Sequence, residues 1–141
     1  MSTTQNLDVV SLPAYYNFGG QQYRCVVASS SGTGVTRATS GTQAIIGIVA
    51  EDPGTTATDG SDEVAIAMIG GGGIGLVECG SNCFAGDVLI GPGSAADGRV
   101  SSSSIASIGS DNVGLGVALA GGSAGDVIPF IAQGAGGPHS A

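Results

Sequence analysis

A chain of 141 residues, 42% of them apolar, is long enough for one domain, but 27 glycines, no tryptophan and only three Phe and three Tyr leave it a thin core. Domains of this kind often gain stability by association, so an oligomer is expected. The net charge of −8, from 11 acids against three arginines and no lysine, argues against a nucleic-acid backbone or an anionic membrane surface as partner. Such an excess of acid keeps a chain soluble by self-repulsion, or marks a face turned to solvent or to a basic partner.

Met1–Phe18 reads as an extended N-terminal arm. It starts with a polar stretch that lacks the basic start and apolar core of a signal peptide. Its apolar positions are Leu7, Val9, Val10 and Leu12, and Pro13 disfavours a central strand. Tyr15, Tyr16 and Phe18 then place half of the aromatic residues in four positions. These rings either plug one end of the core or anchor the arm on a neighbouring subunit.

From residue 19 to 133 the text is a β-domain. Strands are predicted at Tyr23–Ser29, Gln43–Ala50, Glu63–Ile69, Ile74–Cys79, Asp87–Ile90, Arg99–Ser101, Val113–Ala120 and Asp126–Gln133. Gly, Pro, Asp and Ser clusters punctuate them, as in Asp52-Pro53-Gly54 and Gly91-Pro92-Gly93. Alternation is clearest at Val64, Ile66 and Met68, which share a face. Ser101–Ser110 reads as a loop or one short helical turn. No segment carries a 3.6-residue apolar period, so almost no helix is expected. The spacing predicts an all-β barrel or sandwich followed by a flexible tail, 134–141, without core residues. No apolar stretch approaches the ~18 residues that a membrane span needs.

Two internal echoes run through this text. Ala-Gly-Asp-Val occurs at Ala85–Val88 and again at Ala124–Val127, each time opening an apolar run. Gly47-Ile48-Val49-Ala50 followed by Glu63-Val64 resembles Gly116-Val117-Ala118-Leu119 followed by Asp126-Val127. The unit is a strand, a Gly-rich polar turn and a strand.

Residues of the types that carry chemistry do not converge on a pattern. Gly70–Gly73 precedes a strand rather than a helix and has no basic residue near it, so it reads as a hairpin turn and not a phosphate loop. Cys79 and Cys83, with Cys25 and the tail residue His139, do not make a structural zinc set, and unpaired thiols are expected. Asp59, Asp62 and Glu63 are loop acids that read as solvated. There is no Gly-x-Ser-x-Gly elbow and no lysine for a Schiff base. The expectation is a protein that is not an enzyme and requires neither metal nor cofactor.

In order along the second half come Phe84-Ala85-Gly86-Asp87-Val88-Leu89, Asp97-Gly98-Arg99-Val100, Val113–Ala120 and Ser123–Ile131. This series resembles the small head decoration, or cement, proteins of tailed bacteriophages. The resemblance spans roughly residues 43–134, and the arm and the cysteines stand outside it. It implies a small antiparallel barrel or sandwich of β-tulip-like form with an extended N-terminal arm. It implies a homotrimer on the capsid exterior, seated at three-fold or quasi-three-fold junctions and assembled in the host cytoplasm, with the major capsid protein as partner. No catalytic residue carries over. Leu7, Val9, Val10, Leu12, Tyr15, Tyr16 and Phe18 are the expected capsid or inter-subunit contacts. The alternative reading is a tail- or fibre-associated β-module of a virion.

Overall fold

The computed structural model describes residues 5–93, 95–104 and 114–137, and among these there is no helix. Ten strands form the body: β1 (Asp8–Pro13), β2 (Cys25–Ala28), β3 (Val35–Arg37), β4 (Gly47–Val49), β5 (Glu63–Met68), β6 (Gly73–Glu78), β7 (Val88–Ile90), β8 (Ser101–Ser103), β9 (Gly114–Ala118) and β10 (Val127–Gly137). They make two five-stranded antiparallel sheets, ordered β1-β5-β4-β2-β3 and β6-β10-β9-β7-β8. The fold is all-β, as the period-two alternation and the turn residues require.

The two sheets are the same design used twice, because adding five to each strand of the first order gives the second. The equivalence extends to single hydrogen bonds. Ala14 N–H donates to Asp62 C=O at 2.8 Å, and Cys79 N–H donates to Asp126 C=O at 2.8 Å. Tyr15 N–H reaches Val35 C=O as Gly80 N–H reaches Val100 C=O. Parallel bridges join Ala14 to Val35 and Cys79 to Val100. Each half therefore closes its sheet by the same device, in which the turn before one strand clasps the end of another.

The Ala-Gly-Asp-Val phrases are two of these clasps. Gly86 N–H donates to Ala118 C=O at the end of β9, and Gly125 N–H donates to Cys79 C=O at the end of β6. Both glycines have positive φ, 87° and 92°. The position equivalent to Gly86 in the first half is Tyr23, which donates to Val49 C=O and also has positive φ, 68°.

The longer echo is real but sits one residue out of register on its second strand. Gly47 pairs with Met68 as Gly116 pairs with Ala132, which matches Val64 to Ile128 and Glu63 to Val127. The sequence similarity matches Val64 to Val127 instead. A one-residue slip exchanges the faces of a strand. Val64 and Ile128 are accordingly buried, while Val127 is exposed.

Each half has its own core on one side of its sheet. Phe18, Val26, Val35, Val49, Val64 and Ile66 fill the first. Leu89, Val100, Leu115, Ile128 and Phe130 fill the second, and this cluster also takes in Cys25, Val27, Ile48 and Ala67 from the opposite face of the first sheet. The first sheet is thus buried on both faces and joins the halves into one body.

Several boundaries differ from the sequence reading. The strand expected at Arg99–Ser101 lies at Ser101–Ser103, in the stretch that reads as a loop or helical turn, and the one expected from Gln43 begins at Gly47. Residues 8–13, assigned to the arm, are extended but lie along β5 of the same chain, from Asp8 opposite Met68 to Pro13 opposite Glu63. Pro13 is tolerated because β1 is an edge strand. Val35–Arg37 forms β3 although only Val35 is strongly apolar, since pairing with β2 supplies its hydrogen bonds. The last strand runs on through Gly137, which pairs with Gly114, so part of the expected tail belongs to the sheet. Residues 138–141, with His139, and the 105–113 segment lie outside the described residues.

At Gly86 and Gly125 a Cβ would meet nothing within 4 Å, so the only obstacle to a side chain is the backbone conformation. Gly86→Ala and Gly125→Ala are each expected to cost about 1–2 kcal/mol, the penalty for an L-residue in the left-handed region. Urea unfolding monitored by circular dichroism checks this.

Candidate interaction surface and the arginine seam

The residues expected to make contacts divide between core and surface. Leu7 is buried in the second half's cluster, against Gly73 and Gly75. Phe18 is wholly buried, and its backbone N–H donates to the Thr56 hydroxyl at 3.0 Å. Tyr16 meets Phe18 edge-on, with ring centroids 5.4 Å apart, and carries the Arg37 guanidinium 4.5 Å above its own ring. Tyr15 is half-buried and packs over Gly32, Gly34 and Gly60. Leu12 is half-buried on the first core. The rings therefore plug the end of the first half's core. Only Val9, 51% exposed, and Val10, 42% exposed, present apolar surface to solvent.

Val9 and Val10 lie on β1, whose outer edge has no strand beside it among the described residues. The equivalent edge in the second half, along β6, is covered. Asn6 N–H donates to Ile74 C=O at 2.9 Å, Ile74 N–H donates to Asn6 Oδ1, and Leu76 N–H donates to Gln5 Oε1. The open β1 edge is thus the counterpart of one that an extended segment already occupies. A strand edge of this kind can accept another extended chain.

The second concentration of chemistry was not legible in the sequence. All three cationic side chains of the chain meet at the seam between the halves. Arg24 Nη2 lies 3.4 Å from Glu78 Oε2, and Arg99 Nη1 lies 3.7 Å from the same oxygen. Arg99 Nη2 and Nε each lie 2.7 Å from Asp97 Oδ2. Arg24 Nη1 also donates to Asp97 C=O at 2.7 Å, and Arg37 Nη1 donates to Gln21 Oε1 at 3.1 Å. Gly98 sits among them, where a side chain would strike Arg24 and Arg37. Its carbonyl accepts from Cys25 N–H at 2.7 Å, tying the halves together. A cavity of about 240 Å3 borders this seam, lined by Gly80, Ser81, Gly93, Ala95, Asp97, Arg99 and Ser101. Its one cation, Arg99, is already held by two carboxylates, so the cavity offers no free charge to a ligand. The seam is built to join two sheets.

A scan against protein-family models and a search of the curated proteins found no match.

The three thiols are free and buried. Burial pushes the Cys25 thiol up to about 12, and burial together with a hydrogen bond to Cys83 pushes Cys79 up to about 12. Among the described residues no three His, Cys, Asp or Glu side chains gather as a metal set.

Two measurements check this part. Iodoacetamide at pH 8 is expected to leave Cys25, Cys79 and Cys83 unmodified in the folded chain and to modify all three in denaturant, because all three are buried away from the reagent and burial also disfavours the nucleophilic thiolate at Cys25 and Cys79; intact mass reports the result. Burial works against the charge of Asp97, but hydrogen bonds from the Arg99 side chain and backbone outweigh it and hold the carboxyl below its usual range. A carboxylate with a depressed native pKa stabilises the fold above its unfolded value, and that contribution is lost as pH falls through the native value. Asp97→Asn should therefore cost about 1–2 kcal/mol at pH 7 and little at strongly acidic pH, where the wild-type carboxyl is protonated too. Urea titrations at neutral and acidic pH measure the difference.

Proposed function

We propose that this chain is a structural virion protein. It binds the outside of a tailed-phage capsid at three-fold or quasi-three-fold junctions and stabilises the shell as a decoration protein. It acts as a homotrimer on the major capsid protein, without catalysis, cofactor or nucleic-acid contact.

The observation that carries this reading is the series of phrases that resembles head decoration proteins. Within the described residues they occupy one structural unit. Phe84–Leu89 is the clasp and start of β7, Asp97–Val100 leads into β8, and the remaining two phrases hold β9 and β10. The phrases thus supply residues of β7, β9 and β10 and the approach to β8, all in the second sheet. The acidic, lysine-free composition suits the outer surface of a particle better than an interior filled with DNA. Attachment would be mechanical. The open β1 edge with Val9 and Val10 gives the first half a place to meet an extended capsid segment, and many copies on one shell multiply a modest contact by avidity.

Removing residues 1–12 would not test this cleanly, because Leu7 belongs to the core and β1 to the sheet. Val9→Asp with Val10→Asp leaves both in place. The test is co-sedimentation of the purified chain with shells of the major capsid protein from the same genome. Saturable binding is expected for the wild type, with external density at three-fold positions. The double variant is expected to bind at least about tenfold more weakly, the loss of roughly one apolar side chain's burial. Absence of wild-type binding at micromolar concentration would overturn the proposal.

A further inference from the structure

The duplicated architecture makes its two sheets comparable position by position, and the comparison exposes one asymmetry. On the first sheet the face turned away from its own core carries Cys25, Ile48 and Ala67, all fully buried because the second half packs over them. Register matches Cys25 to Val88, Ile48 to Val117 and Ala67 to Ile131 on the second sheet, and of these three counterparts only Val88 is buried. Nothing among the described residues covers Ile131, which is 43% exposed, and Val117 is only half-buried.

Across β6, β9 and β10 this face is apolar and exposed in places, whereas its β7 position, Val88, is buried. Ile131 stands opposite Val117 on β9 and Ile74 on β6. Pro129 stands opposite Leu76, and its carbonyl accepts from Leu119 N–H at 2.9 Å. Leu119 is 43% exposed, and Phe84, 61% exposed, lies beyond it next to Gly121. The outward positions of β6, β9 and β10 hold one charged residue, Glu78, which Arg24 and Arg99 neutralise.

We propose that the outward face of the second sheet, centred on Val117, Leu119, Pro129 and Ile131, docks a second copy of this chain. The proposal rests on the self-association part of the reading above and not on capsid attachment.

Three observations favour a second copy over another occupant. The covered counterpart of this face shows what the design packs there, namely another sheet of the same build. Two copies that each carry a net charge of −8 repel one another over most of their surface, and this face is where that repulsion is least. A repeated copy also brings a pleated apolar surface of the same spacing, which lets a symmetric assembly close around the contact.

Sedimentation of the purified chain, without capsids, tests this. The wild type is expected at a multiple of 13.4 kDa at micromolar concentration. Leu119→Asp and Ile131→Asp should sediment as monomers with unchanged circular dichroism, whereas Val9→Asp, on the other sheet, should remain oligomeric. Should the Asp variants fail to fold, Ile131→Thr keeps a β-compatible side chain and is expected to raise the dissociation constant at least tenfold. A monomeric wild type overturns the proposal, including one that binds capsids through this face. So does a folded Ile131 or Leu119 variant that stays as oligomeric as the wild type. An oligomer that ignores capsids sinks the capsid reading and leaves this one standing.

Discussion

The packing of the second half over the outer face of the first sheet is the contact on which the rest of the molecule depends. Ile48, Ala67, Cys25 and Val27 enter the same cluster as Phe130, Leu89 and Ile128. Neither half alone has the large side chains to make a stable core, and a unit of about 60 residues is marginal even with a richer composition. Sharing one sheet between two cores solves this. β4 and β5 bury side chains on both faces, so most residues of these short strands remove surface from water, the exposed Glu63 excepted.

The polar seam makes that packing specific. Cys25 N–H to Gly98 C=O, Glu78 N–H to Tyr23 C=O and the Asn6–Ile74 pair join the halves through backbone groups. Around them the only cations of the chain are gathered and matched to Glu78, Asp97 and backbone carbonyls. In a chain with so few positive charges this leaves the remaining surface acidic. Arg24 and Arg99 are matched by carboxylates, while Arg37 is held by Gln21, the Ala96 carbonyl and the Tyr16 ring. The electrostatics of the interior and of the surface are thus one decision.

Duplication also explains where the molecule is unfinished. A repeated unit that stacks on its neighbour always leaves one face and one edge at the end of the stack. Here the edge is β1, whose counterpart β6 is covered by residues 5 and 6. The face is that of β9 and β10, whose counterpart on β4 and β5 is buried. Among the described residues the exposed large apolar side chains lie at these two places, Val9 and Val10 on one, Leu119, Val127 and Ile131 on the other, with Phe84 beyond Leu119.

The sequence by itself determined the all-β class and the position of most strands, because period-two alternation and Gly, Pro and Asp turns are local properties. It also carried the repeated clasp at Gly86 and Gly125, where glycine takes the left-handed turn, but not the equivalent turn at Tyr23, where no glycine marks it. The register of β10 was beyond it, because Val127 and Ile128 are equally apolar and only pairing with β6 and β9 decides which one faces the core. So was the fate of residues 8–13, whose weak alternation becomes a strand only when β5 supplies the partner. The meeting of Arg24, Arg37 and Arg99 was invisible for the same reason. They lie far apart in the chain, and only the stacking of one sheet on the other brings them together.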